Sequence, residues 1–191
     1  MPNQLIGVQY GLMPDPRTPR IPPMPAGEWN DFLERLVDAS PGGREHPLNI
    51  FTTLARSPDV FRRWIGFGTA LLQGSIPDRQ RELVILRVAH LDESEYEWTQ
   101  HVPMALAAGV TREEIEALRR SPDRYEWPPE DAVLLRVADE LDFLGFVEDE
   151  TWAEAHEILG DAGMIELIML VGQYQMVAMI LRTLRVQLED E

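Results

Sequence analysis

The sequence predicts an all-α fold, and three observations carry the prediction. Apolar residues recur at helical rather than alternating spacing from about residue 28 onward. Prolines and glycines fall where helices open and close. No hairpin turn signal flanks any apolar run, so stretches such as Leu83-Val84-Ile85-Leu86 read as helix rather than short buried strand.

Ahead of the helices, residues 1–26 hold Pro2, Pro14, Pro16, Pro19, Pro22, Pro23 and Pro25. Each proline lacks an amide donor and fixes φ, so this arm is expected to be extended, packing on the domain or on a neighbouring subunit. Residues 27–191 then form one helical domain. The period predicts helices over 28–39, 47–56, 58–73, 78–91, 93–108, 112–120, 129–144, 149–159 and 161–186. Ser57, Asp92 and Thr111 are the expected N-caps, and Pro58 and Pro129 stand where first-turn prolines are tolerated. Gly74, Gly109, Gly145 and Gly160 close apolar segments.

Two of these helices, Glu82 to Leu91 and Met164 to Leu184, are apolar on nearly every face and need covering on every face. For the last helix, burial between subunits and burial at the centre of a monomeric bundle are both compatible with the period.

The formal charge of −16 is spread along the 191 residues, which opposes attraction to phosphate backbones and anionic lipids and argues against a nucleic-acid partner. Met1 to Tyr10 lack a basic n-region and a long apolar run, and Glu166, Gly172, Gln173 and Gln175 interrupt the most apolar stretch. No membrane span is expected, and the cytoplasm is the expected location. The chain has no cysteine, which excludes disulfides, thiolate metal ligands and cysteine nucleophiles. Neither a His-Glu-x-x-His pattern, a glycine-rich phosphate loop nor a Gly-x-Ser-x-Gly elbow is present, so no metal is expected.

Chemistry concentrates between Arg81 and His101. Glu82 shares a helical face with Ile85, Leu86 and Ala89, and Ser94, Glu97, Trp98, His101 and Ala105 share one on the next helix. A short turn between two helices packs them antiparallel, which brings Glu82 and His101 to the same end of the pair. Burial and an opposite charge act in contrary directions on a carboxyl proton, so such a pair can be tuned for proton transfer. The same pair can also serve only as a satisfied polar contact. Pro103 removes the hydrogen bond to the Thr99 carbonyl and is expected to kink the helix beside His101. His90 can line a pocket or interact with a helix end.

At these residues the chain resembles the carboxymuconolactone decarboxylase family of the alkylhydroperoxidase D-like superfamily. The resemblance runs from Arg20-Ile21-Pro22-Pro23 and Asn49 through Phe67-Gly68-Thr69-Ala70-Leu71-Leu72 to Arg81-Glu82-Leu83-Val84 and Ser94-Glu95-Tyr96-Glu97-Trp98 with His101. It continues through Ala107-Gly109-Val110 and Val171-Gly172-Gln173-Tyr174. In the peroxidase branch, two cysteines lie between a glutamate and a histidine. Glu82 and His101 match the latter two in register, while Ser94 and Glu97 occupy the cysteine positions. Serine cannot cycle through sulfenic acid and disulfide, so this is a cysteine-less branch and not a thiol peroxidase on its own.

The resemblance implies an alkylhydroperoxidase D-like helical bundle and a homo-oligomer, trimer or hexamer. It further implies a decarboxylase-type lyase acting on a small lactone or carbonyl acid, with no metal or organic cofactor. His101 is then the acid and Glu82 its relay partner. Tyr96 is an optional hydrogen-bond donor, and Glu97, Ser94, Trp98 and His90 line the substrate. Arg81 and Arg87 are the nearby cations for a substrate carboxylate. The alternatives are a non-catalytic binding or scaffold protein, and a peroxidase-related protein that borrows a partner's thiols.

Overall fold

The computed structural model describes residues 18–120 and 124–189. The stretch 1–17 of the proline-rich arm therefore lies outside the described residues. What is described of the arm is extended and lies on the domain: the Arg20 amide donates to the Leu184 carbonyl, the Met24 amide to Thr52, and the Arg56 guanidinium to the Pro22 and Pro23 carbonyls.

After a 3-10 turn at Ala26–Glu28 come α1 (Asp31–Asp38), α2 (Asn49–Leu54), α3 (Pro58–Leu72), α4 (Asp78–Leu91), α5 (Glu95–Ala107), α6 (Arg112–Leu118), α7 (Pro129–Leu144) and α8 (Asp149–Leu184). No strand occurs among the described residues, as the sequence predicts. The expected boundaries at Pro58 and Pro129 hold because proline needs no amide partner at a first helical position. Thr111 caps α6 reciprocally with Glu114.

As the period predicts, α8 is two helical segments that meet at a kink at Gly160, whose φ of 63° is non-helical, open to glycine and strained for other residues. One local expectation, the N-cap of α5, is corrected. Asp92 does not cap α5. It ends α4, and Glu93 takes the left-handed conformation at φ 51°, while the Ser94 and Glu93 amides return to the carbonyls of Ala89 and His90. That is a Schellman turn without glycine, and it folds α5 back along α4. Pro103 lies inside α5, which continues through it to Ala107.

Helix α4 is the axis of the core. On one side Val84, Ile85 and Val88 pack with Val133, Leu134 and Val137 of α7 and Met164, Leu167 and Leu170 of α8. On the other, Leu83, Leu86 and Ala89 pack with Trp98 and Ala105 of α5, Ile115 and Leu118 of α6, Trp127 and Leu135. Every residue from Arg81 to Ala89 is buried, so the cover required by its all-round apolarity comes from the chain itself. Helix α8 has the length and composition to cross a bilayer, yet half of its most apolar window is buried in this fold. Ile165, Ile168, Met169, Met176 and Met179 remain exposed along it.

Arg87 is a structural clamp. Its guanidinium pairs with Asp139 of α7 and donates to the Leu118 and Arg120 carbonyls, leaving it no part in ligand binding at the far end of α4. A second tie forms at the α3–α4 turn, where the Glu166 carboxylate accepts from the Ser75 amide and hydroxyl and from the Ile76 amide. A Cβ at Gly74 would come within 2.1 Å of Glu166 Oε1, so any larger residue there would displace this carboxylate from the turn.

Candidate active site

The Schellman turn sets α4 and α5 antiparallel, and at the end away from the turn His101 Nδ1 lies 2.8 Å from Glu82 Oε2. The Glu82 side chain is 1% exposed and that of His101 12%. A buried carboxylate accepting from Nδ1–H fixes the tautomer and leaves Nε2 for a ligand; among the described residues Nε2 has no partner. Arg81 approaches the other Glu82 oxygen at 3.4 Å and pairs with Asp78 at 2.8 Å, while its Nε is buried without a hydrogen-bond partner.

Tyr174 of α8 completes this cluster, its ring meeting the His101 ring edge-on at a centroid distance of 5.1 Å. Burial pushes its phenol above the usual range, and the Glu82 and Glu97 carboxyls push it further. Glu97, one turn before His101 on α5, is 3% exposed, and neither of its oxygens has a hydrogen-bond partner. Burial pushes its carboxyl up to about 8; the Ser94 hydroxyl, near enough to hydrogen-bond it but off the ideal geometry, opposes this, and the Asp92 charge adds to it.

Beside Glu82 opens a recess of about 270 Å³ lined by Asp78, Arg81, Glu82, Met104, Ala107 and Ala108. A second recess, of about 260 Å³, lies at the other end of the helix pair, where His90, Ser94 and Trp98 meet Arg119. The Arg119 guanidinium lies 4.3 Å over the Trp98 ring. Burial, with the Arg87 and Arg119 charges, holds the His90 imidazole below its usual range.

The residues singled out in the sequence are therefore divided among three places. Glu82, His101 and Glu97 face the α4–α5–α8 cluster, whereas His90, Trp98 and Ser94 line the separate recess. Tyr96 joins neither: its hydroxyl donates to Glu189 and accepts from the Ile50 amide, so it is spent on tying the carboxyl-terminal segment to α2. The same Glu189 carboxylate accepts from the Asn49 amide and from Gln100. Tyr174 was not singled out, and the available signal was a polar pair, Gln173-Tyr174, inside an otherwise apolar helix.

Residues 58–140 match the model of the Carboxymuconolactone decarboxylase family, and this stretch contains both Glu82 and His101. The segment belongs to that family. No curated protein matches the chain in sequence. Among solved structures, the chain is similar to an uncharacterized peroxidase-related protein with an alkylhydroperoxidase AhpD core from Ralstonia eutropha JMP134, at 16% identity and a TM-score of 0.78, covering 89% of this chain and 93% of that one. It is also similar to an uncharacterized peroxidase-related protein from Silicibacter sp. TM1040, at 12% identity and a TM-score of 0.74, over 84% and 86% of the two chains. A third similar structure is the debrominase Bmp8 in complex with 2,3,4-tribromopyrrole, at 13% identity and a TM-score of 0.72, over 88% and 91%. These likenesses establish the fold, an alkylhydroperoxidase D-like helical bundle.

Proposed function

We propose that this carboxymuconolactone decarboxylase family member is a cofactor-free lyase in which His101 and Glu82 transfer a proton on a small lactone or related carbonyl acid. The observation that carries this reading is the 2.8 Å contact between the buried Glu82 carboxylate and His101 Nδ1, with Nε2 left without a partner among the described residues. In the proposed step the bond from the substrate to its carboxylate breaks, carbon dioxide leaves, and the bonding pair passes into an enolate. The His101 imidazolium gives its proton to the carbon and is left neutral, and solvent restores the proton. Glu82 orients the ring and stabilises its charged form.

Arg81 is the cation for the substrate carboxylate, because its Nε is buried without a partner and it lines the recess beside Glu82. Within this reading the protein acts in the cytoplasm as a homo-oligomer, a trimer or hexamer. The exposed Ile165, Met169 and Met179 of α8 support it by offering an apolar face for a second copy. The absence of cysteine keeps the peroxidase-related character of the structural neighbours out of this proposal.

Carboxymuconolactone itself is the first substrate to assay. Replacing His101 with alanine is expected to lower turnover about 100-fold or more while leaving the oligomer intact; unchanged turnover removes the mechanism. One observation favours a second reading, a non-catalytic binding protein: the Tyr174 ring lies against His101, and the neighbouring recess is lined by Glu82 but not by His101. Under that reading the wild-type protein binds lactones without consuming them.

A further inference from the structure

His101 is tied to Glu82 through one atom, Nδ1, and a single hydrogen bond fixes a point rather than a plane. The torsion that turns an imidazole about its bond to the β-carbon has a broad, roughly two-fold profile, so rotamer preference alone does not choose between its two orientations. A half-turn of that torsion exchanges Nδ1 for Cδ2. The Glu82 carboxylate would then face a carbon in place of an N–H, and the pair would be lost.

Tyr174 supplies the second constraint. Its ring stands at 85° to the imidazole with the centroids 5.1 Å apart, an edge-on geometry that aromatic pairs favour at roughly 4.5–7 Å. At that distance the imidazole cannot sweep through a half-turn unless the two rings first separate. The tyrosine is poorly placed to withdraw, because it is 9% exposed and packs in the core cluster with Val84, Ile85, Leu170 and Val171. A densely packed side chain of this kind is a rigid wall.

The contact belongs to the ring and not to the hydroxyl. The hydroxyl makes no hydrogen bond among the described residues, and burial with the Glu82 and Glu97 charges keeps it protonated. Three helices therefore converge on one imidazole: α5 carries it, α4 holds Nδ1 through Glu82, and α8 sets the ring against Tyr174.

We propose that Tyr174 is a positioning residue whose ring locks the His101 imidazole in the one orientation that presents Nδ1–H to Glu82 and leaves Nε2 for a ligand. Its effect on turnover rests on the proton-transfer reading above. The locked ring itself is a property of the ligand-free protein and is measured without any substrate.

The test reads the full chain by NMR with no ligand, and then by turnover of carboxymuconolactone. In the wild type, His101 is expected to give one set of nitrogen-15 ring signals, with a nuclear Overhauser contact between its ring protons and those of Tyr174. Tyr174→Phe keeps the ring and is expected to keep the single set, the contact and, within about twofold, the turnover. Tyr174→Leu and Tyr174→Met fill the space without a ring. Each is expected to double or broaden the His101 signals as the second orientation becomes populated, and to lower kcat about tenfold with KM little changed. A merely structural role would lower the melting temperature of these variants and leave the His101 signals single, which overturns the proposal. Tyr174→Phe answers alone if the ring-less variants do not fold: doubled signals or a lost contact there overturns the proposal, and single signals with the contact kept uphold it. A wild type that leaves the lactone unconsumed, while the Leu and Met variants double the signals, sinks the lyase reading alone. Turnover in the wild type with unchanged signals in those variants sinks the Tyr174 assignment alone.

Discussion

Glu82 and Glu97 are both buried acids, on adjacent antiparallel helices, yet their surroundings differ in kind. Glu82 has His101 on one oxygen and Arg81 on the other, whereas Glu97 has a partner on neither. A partnered carboxylate belongs to a network that fixes its geometry, and an unpartnered one is left neutral with hydrogen-bonding capacity to spare. The first suits a group that orients a proton-transfer base, and the second a group whose proton burial retains. The contrast can be broken from either side.

The largest effect is expected from Glu82. Glu82→Ala strips a buried imidazole and a buried guanidinium of their common partner, and removal of one member of such a pair costs about 3 kcal/mol or more. Chemical denaturation of the variant measures it, and a loss under about 1 kcal/mol would mean that the contact contributes little beyond packing.

An effect that is smaller per pH unit separates the two acids by pH. Glu97 holds its proton in the folded protein up to about 8, against 4.5 for an unperturbed glutamate. Its stabilising preference for the folded state is therefore fully present below 4.5 and is lost as pH rises through about 8. Between those limits the wild type should lose up to about 1.4 kcal/mol per pH unit relative to Glu97→Gln. Melting curves of both proteins across this range test it, and parallel pH profiles would show that Glu97 is ionised or solvated when folded.

The sequence carried the partnered acid more clearly than the unpartnered one. Helical spacing alone puts Glu82 among Ile85, Leu86 and Ala89, and the antiparallel return puts His101 opposite it, so that contact follows from local rules. Proline and glycine punctuation likewise placed the start of α3 and both ends of α7, because a first-turn proline and a left-handed glycine are local signals. Other features depend on tertiary context. Glu93 makes a left-handed turn without the glycine that would announce it, and Arg182 of α8 clamps that turn by donating to the Asp92 carbonyl. Tyr96 is drawn away by Glu189 from the far end of the chain, and Arg87 by Asp139, neither of which spacing within one helix pair reveals. Glu97 looked like another polar neighbour of His101, since its lack of partners emerges only once every surrounding helix is in place.

The most direct measurement of the central claim is the tautomer of His101, read from nitrogen-15 NMR of the imidazole ring in the wild type and in Glu82→Gln. The account predicts a proton on Nδ1, held by the Glu82 carboxylate, with Nε2 free in the neutral ring, and a disturbed pattern in the variant. A ring protonated on Nε2 in the wild type, with a spectrum that Glu82→Gln leaves unchanged, would contradict it.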